Sequence, residues 1–283
     1  EISCSLVGSE MCIRDRSKRK FYGAFYRASF LPRTFNDVDG RYPSFAKGKP
    51  VMSLPDGGTY YEDFSVWDTY RALHPMLNII SPSKAGQMMN SLILKYEQGG
   101  WLPIFPCWNS YTAAMIGDHC ISLLCDAYAK GIGGFDIEKA YQAMRSNAFV
   151  HPSEEEYLDG CGRRALKSYI DYGYVPLEDS VKEAFHTCEQ VSRTLEYAYD
   201  DYVLSVIAKK LGKDEDAGLL LCRAGNYRNV INPSTGYAQG RHLNGTFLND
   251  DNAFRFTKFI TEGAPCHYTW YVPCLLYTSP SPR

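Results

Sequence analysis

The sequence predicts a mainly α protein, an α/α toroid or solenoid of antiparallel helix pairs with short β-hairpins in its loops. Three observations predict it. From residue 81 onward, stretches with apolar residues at helical spacing recur, and most of them stop at a glycine. The segment Gly100-Trp101-Leu102-Pro103 is echoed by Gly173-Tyr174-Val175-Pro176, each following a helix with the form Gly-aromatic-apolar-Pro. The chain has 283 residues, 45% of them hydrophobic, which is enough for one large core or two small ones.

Taken in order, Phe21, Phe25, Ala28 and Leu31 fit one helical face that Pro32 ends. Residues 35–42 read as a turn, because Asp39-Gly40 favours hairpin geometry. Asp37 and Asp39 offer too few oxygen ligands in register for a calcium loop. The Pro/Gly-rich segment 43–63 predicts a hairpin around Asp56-Gly57-Gly58. Ser81-Pro82 starts a helix with apolar positions 85, 88, 92 and 96, closed at Gly99. Further helices are predicted over 112–130, from a cap at Asp136 to about Ser146, over 162–172, over 189–211 and over 214–231.

Composition excludes some functions. Thirty basic and 32 acidic residues are well mixed at a net charge of −2, which argues against nucleic acid or an anionic membrane as the main partner. No apolar run approaches the roughly 18 residues that span a bilayer. Aromatics stand out: there are 22 tyrosines, and the tryptophans at 67, 101, 108 and 270 all sit in Pro- or Gly-punctuated segments. Carbohydrate-handling proteins show this usage, although core packing also accounts for many tyrosines.

Both ends look foreign. Residues 5–16 resemble a translated transposase adaptor used for sequencing libraries, and 274–283 resemble the same adaptor read on its opposite strand. The expected organisation is therefore a mostly adaptor-derived tail over 1–16, a partial helical domain over 17–273 and a second tail over 274–283. Basic residues from Arg14 to Lys20 are then no signal-peptide region, and any leader would lie upstream. Apart from Cys4, Cys12 and Cys274, seven cysteines remain, with no C-x-x-C pair and no zinc spacing. Cys120 and Cys125 read as small buried residues of a helix.

Four places could carry chemistry. Trp67-Asp68-Thr69-Tyr70-Arg71 combines a flat apolar plate with fixed acceptors and donors, which is what a sugar ring needs; a buried Trp with a capping Asp is the bland alternative. Gly99-Gly100-Trp101 could bring an indole close to a sugar, or simply pack a loop. Asp118-His119 reads most simply as a hydrogen-bonded core pair. Glu196 and Asp200 share one helical face at i and i+4, so Arg partners, a bound cation or solvent must offset their repulsion.

Together these segments carry a resemblance. Phe35-x-Asp37-Val38-Asp39-Gly40-Arg41-Tyr42, Trp67 through Pro75, Gly99 through Pro103, Thr194 through Asp201, Thr261-Glu262-Gly263 and Tyr268-Thr269-Trp270 resemble, in order, glycoside hydrolase family 92. That family contains exo-acting α-mannosidases with a β-sandwich followed by an (α/α)6 toroid. The resemblance implies that 17–273 is part of the toroidal catalytic domain. It further implies calcium-dependent, inverting hydrolysis of terminal α-mannosides in mannose-containing glycans, in the periplasm, at the cell surface or outside the cell. Glu262 matches the family's catalytic acid, and Trp67, Asp68, Trp101 and His119 would be substrate-binding residues of the sugar pocket. The calcium ligands are not placed, and the family's general base is expected downstream, so the polypeptide is expected to be inactive by itself. Ala264, Cys266 and His267 stand where the family more often has Asn, Trp and Gln, which puts linkage preference in doubt. Two other readings are another α/α-toroid carbohydrate enzyme, such as a glucosidase or polysaccharide lyase, and a non-catalytic helical scaffold that binds a glycan or protein.

Overall fold

The computed structural model describes residues 2–55, 58–181, 184–250 and 252–271, with side chains described from residue 14 onward. Tail residues 274–283 lie outside the described residues. The chain opens with α1 (Ile2–Ala28), which continues through the segment read as the first tail and ends before the expected Leu31. Four short strands follow: β1 (Arg33–Thr34), β2 (Arg41–Pro43), β3 (Val51–Ser53) and β4 (Tyr61–Glu62). β1 pairs with β4 and β2 with β3, both antiparallel. The expected Asp37–Arg41 turn forms, with Gly40 at φ +81 donating its N–H to Asp37. A hairpin forms across 44–50, where Gly48 takes φ +80; the one expected around Asp56-Gly57-Gly58 falls on residues 56 and 57, which lie outside the described set.

The helices are α2 (Val66–Thr69), α3 (Leu73–Ile80), α4 (Pro82–Gly99), α5 (Cys120–Ala129), α6 (Ile137–Phe149), α7 (Glu154–Leu158), α8 (Leu166–Tyr172), α9 (Gln190–Lys210), α10 (Asp214–Ala224) and α11 (Pro265–Tyr268). A 3₁₀ stretch, Gly225–Val230, continues α10. Their ends follow the chemistry of caps. Pro82 occupies the first turn of α4, and left-handed Gly100 closes it by donating its N–H to the Tyr96 carbonyl. The Asp136 carboxylate accepts the Glu138 and Lys139 N–H groups at the start of α6. Gly173, also left-handed, closes α8.

Two expected helices are shorter than their patterns. The one over 162–172 begins only at Leu166, because Gly162 and Ala165 take φ of +72 and +56. Over 112–130, only the part from Cys120 is helical. Met115 and Gly117 take φ of +59 and +82, which a right-handed helix cannot contain, and the Asp118 N–H is taken by the Asp200 carboxylate.

At the centre lie α5 and α9, packed on each other and buried on nearly all sides. α3 and α4 pack on α5, α6 touches α4, α5 and α9, and α10 lies along α9. This is the mainly helical α/α arrangement expected, with the short strand pairs confined to loops. The larger core runs through Leu92, Leu102, Ile121, Leu124, Met144 and Leu204. A second joins Trp67, Ile116, Leu195, Phe259, Ile260 and Tyr268. The repeated Gly-aromatic-apolar-Pro loops do the same job twice. Trp101 and Tyr174 are both buried, and the N–H groups of Leu102 and Val175 are caught by Asn147 of α6 (3.2 Å) and Thr194 of α9 (3.0 Å). Cys120 and Cys125 are buried, and none of the cysteines whose side chains are described forms a disulfide. Among the described residues no helix is long and apolar enough to cross a membrane.

Candidate active site

Charged side chains meet in the middle of the helical core. His119 sits just before α5, only 1% exposed, with Nε2 2.6 Å from Glu196 Oε2 and Nδ1 3.1 Å from Asp200 Oδ1. Both carboxylates come from one face of α9. The cation that offsets their repulsion is therefore this imidazolium. Burial alone would lower the His119 pKa, but Asp200 and Glu196 outweigh it and hold it at about 10. Tyr70 stacks on the ring at 4.1 Å between centroids. Asp118 does not pair with its neighbour His119; it meets Arg163 Nε at 2.9 Å and accepts from Asn147. Burial pushes the Asp118 carboxyl up, Arg163 opposes that, and Asp200 adds to it. Arg163 also reaches Asp201 at 2.7 Å, and Asp201 in turn binds Arg223 and the Tyr169 hydroxyl.

Beside this core lies an open cavity of about 530 Å³, lined among others by Tyr70, Arg71, Asp126, Tyr199, Trp270 and Tyr271. That volume suits a sugar-sized ligand. Arg71 forms part of its wall, its guanidinium over the rings of Trp67 (5.4 Å), Tyr70 (4.9 Å) and Tyr271 (5.6 Å). Such stacking fixes the guanidinium plane while leaving its edge free to donate. Trp67 itself is buried in α2, whereas Asp68, one residue on, is exposed and bonded to Ser65.

Glu262 is exposed on the loop before α11 and holds φ at +50, a conformation that favours glycine. Its neighbours clamp it there. The Thr261 N–H donates to Ser192 Oγ at 2.9 Å, and the Phe259 carbonyl accepts from Val191 and Ser192 at the start of α9. Phe259 and Ile260 pack in the same core as Trp67, so the Glu262 loop and the Trp67 segment share one foundation. Glu262 does not line the 530 Å³ cavity; His267, on the helix that follows it, does. Trp101 stands on other partners: its indole N–H donates to Glu156 at 3.0 Å, and its backbone exchanges hydrogen bonds with the Tyr111 hydroxyl. Neither those partners nor the Trp101 ring lines the cavity.

Several of these groups escaped the sequence reading. Arg163 and Arg223 lay in no motif, and only the tertiary fold brings them to Asp201. Lys95 left a faint signal, a cation three residues beyond Leu92 on the apolar face of α4. It is fully buried 2.6 Å from Glu62, among Phe45, Tyr60 and Phe64. Among the described residues no group of three or more His, Cys, Asp or Glu side chains is arranged to hold a metal ion. Among the described residues, the buried carboxylates of Glu196 and Asp200 lie within ion-pair distance of His119, and those of Asp118 and Asp201 within ion-pair distance of Arg163. These residues do not fit a calcium ion, and no step below runs through one.

Helix pairs that flank an open cavity lined by tyrosines, a tryptophan, Arg71 and Asp126 are compatible with a carbohydrate-handling catalytic domain. The chain belongs to glycosyl hydrolase family 92: the model of that family's catalytic domain matches residues 9–275. Among solved structures, it is similar to a family GH92 α-mannosidase from Bacteroides thetaiotaomicron, with 37% identity and a TM-score of 0.79 over 91% of this chain. It is also similar to a family GH92 inverting mannosidase from Bacteroides thetaiotaomicron VPI-5482, with 32% identity and a TM-score of 0.79 over 90% of this chain. A secreted glycosidase of Arthroderma benhamiae, itself uncharacterized, is 26% identical over 251 residues, 83% of this chain. The chain spans 32% and 33% of the two mannosidases and 27% of the secreted glycosidase.

Proposed function

We propose that this chain is part of an exo-acting α-mannosidase that removes terminal mannose from glycans with inversion, and that Glu262 is its general acid. The likeness to two mannosidases, one of them inverting, supports the substrate and stereochemistry. Glu262 itself carries the assignment: an exposed carboxyl is held in a left-handed conformation by a loop anchored to α9. Such strain in a non-glycine residue concentrates at functional sites. In this reading Glu262 protonates the leaving oxygen while a second carboxylate, about 6.5–9.5 Å away, activates water on the opposite face of the sugar. By the family resemblance Trp67, Asp68, Trp101 and His119 are proposed as substrate-binding residues of the mannose subsite, although none of the four lines the 530 Å³ cavity.

No described residue is assigned as the base. With about a third of a mannosidase's length present, the 283-residue polypeptide is proposed to release no mannose by itself. Calcium dependence is part of the proposal and requires ligands outside the described residues. A site of action outside the cytoplasm is supported by the name of the secreted relative.

The test uses the complete enzyme. Glu262→Gln should lower kcat on mannosides with poor leaving groups by about 10²–10⁴-fold, the usual worth of general-acid assistance. Aryl mannosides with very good leaving groups should lose much less. Equal losses on both would remove Glu262 from the acid's role, and full activity after chelation would remove calcium from the proposal.

A further inference from the structure

Arg163 and Arg164 are consecutive and both buried, yet they are treated in opposite ways. Arg163 is matched by the carboxylates of Asp118 and Asp201. Arg164, 4% exposed, has no carboxylate within ion-pair distance among the described residues, and Nε, Nη1 and Nη2 are all without a hydrogen-bond partner. One face of its guanidinium lies 3.9 Å from the Tyr157 ring. Its donors are left to a small, partly open pocket bounded by Ile104, Met115, Ile116, Gly160 and a second buried arginine, Arg193, in which the centre of a water-sized sphere has about 10 Å³ to occupy. Arg193 donates to the carbonyls of His186 (2.5 Å) and Cys188 (3.3 Å), and it too has no carboxylate partner among the described residues.

Two guanidinium groups sharing one small, mostly apolar chamber repel each other at low dielectric. An unpaired buried ion carries a penalty of several kcal/mol. Arginine cannot relieve this by losing its proton. The pocket has room for one particle of the size of a water molecule or a halide ion. Water would satisfy donors but not charge. We infer that Arg164 and Arg193 hold a single small monovalent anion, chloride by size, in this chamber between the 113–117 segment, the 160–164 turn and the start of α9. Polyatomic anions such as sulfate are too large for it. The site is separate from the open cavity and from Glu262, so it stands whether or not the proposed hydrolase assignment does. Its position ties the irregular 112–119 segment, which ends at His119, to α9.

The test is thermal unfolding of the complete protein in sodium chloride, sodium bromide and sodium gluconate at matched ionic strength. Chloride and bromide should raise Tm along a saturating curve, as a ligand bound only by the folded state does, while gluconate should not. Arg164→Met keeps the stem and removes the charge; it should fold and show the same Tm in all three salts. A crystal grown in sodium bromide should show anomalous scattering from one bromide against the Arg164 guanidinium. Equal Tm in all salts for the unmodified protein overturns the inference. So does halide dependence that survives in Arg164→Met. Water, or a side-chain carboxylate, in the chamber of the bromide crystal does the same, and that crystal decides the matter if the methionine variant fails to fold.

Discussion

His119 Nε2 stands 2.6 Å from Glu196 Oε2, and neither side chain reaches solvent. The pair joins an irregular segment to the longest helix of the core, with Asp200 on the other ring nitrogen. Removing the imidazole leaves two buried carboxylates without their cation. His119→Gln should cost about 3–5 kcal/mol, the usual result of breaking a buried pair from one side. The pH dependence has a defined sign. His119 is raised from an unfolded value near 6.5 to about 10, so its contribution is full below about pH 6.5 and is lost as pH rises towards 10. Urea denaturation across that range should show the stability gap between the unmodified protein and His119→Gln narrowing, by at most about 1.4 kcal/mol per pH unit. A gap that widens with pH would mean the ring is neutral in the folded state.

Lys95 and Glu62 form another fully buried pair, 2.6 Å apart. Lys95 also donates to the Tyr61 carbonyl, and Glu62 accepts the Asn109 N–H. Lys95→Met alone strands a carboxylate and should cost about 3–5 kcal/mol. Adding Glu62→Gln should recover more than about 1 kcal/mol of that loss, because the stranded charge is gone while the acceptor for Asn109 remains. Additive losses in the double variant, measured by urea denaturation, would show that the two charges do not stabilise each other.

At Glu262 activity and stability should separate. A left-handed non-glycine residue costs about 1–2 kcal/mol, and glycine gives back part of that through a freer unfolded chain. Glu262→Gly should therefore leave stability unchanged or raise it by up to about 1 kcal/mol, even as it removes the proposed acid. Glu262→Val, β-branched, should be less stable than either. A destabilised glycine variant in thermal unfolding would mean that the carboxylate makes a stabilising contact and that the backbone is not strained.

The Glu262 motif also shows how far sequence reading reached. Thr261-Glu262-Gly263 was legible as a family motif, but not that the glutamate rather than the glycine takes the left-handed turn. That assignment depends on Ser192, some 70 positions away, accepting the Thr261 N–H. Trp101 was legible as a special loop aromatic; which partner its indole N–H would choose was not, because Glu156 reaches it only through the capping box of α7. The helix over 112–119 was misread for the same kind of reason. Its apolar spacing is helical, yet long-range bonds to Asp200 hold it open.

What the sequence alone determined is local. Glycines at 100 and 173, Pro82 and the Asp136 cap set helix ends because their backbone preferences and side-chain reach act within a few residues. The spacing of Glu196 and Asp200 placed two carboxylates on one face for the same reason. Tertiary structure alone decided which cation lies between them, that Arg163 is doubly matched, and that Arg164 is not. Buried charges find their partners across tens of residues of intervening chain, and no local preference encodes that choice. Packing of α5 against α9 brings those partners within reach, and once water is excluded the low dielectric makes each pairing decisive.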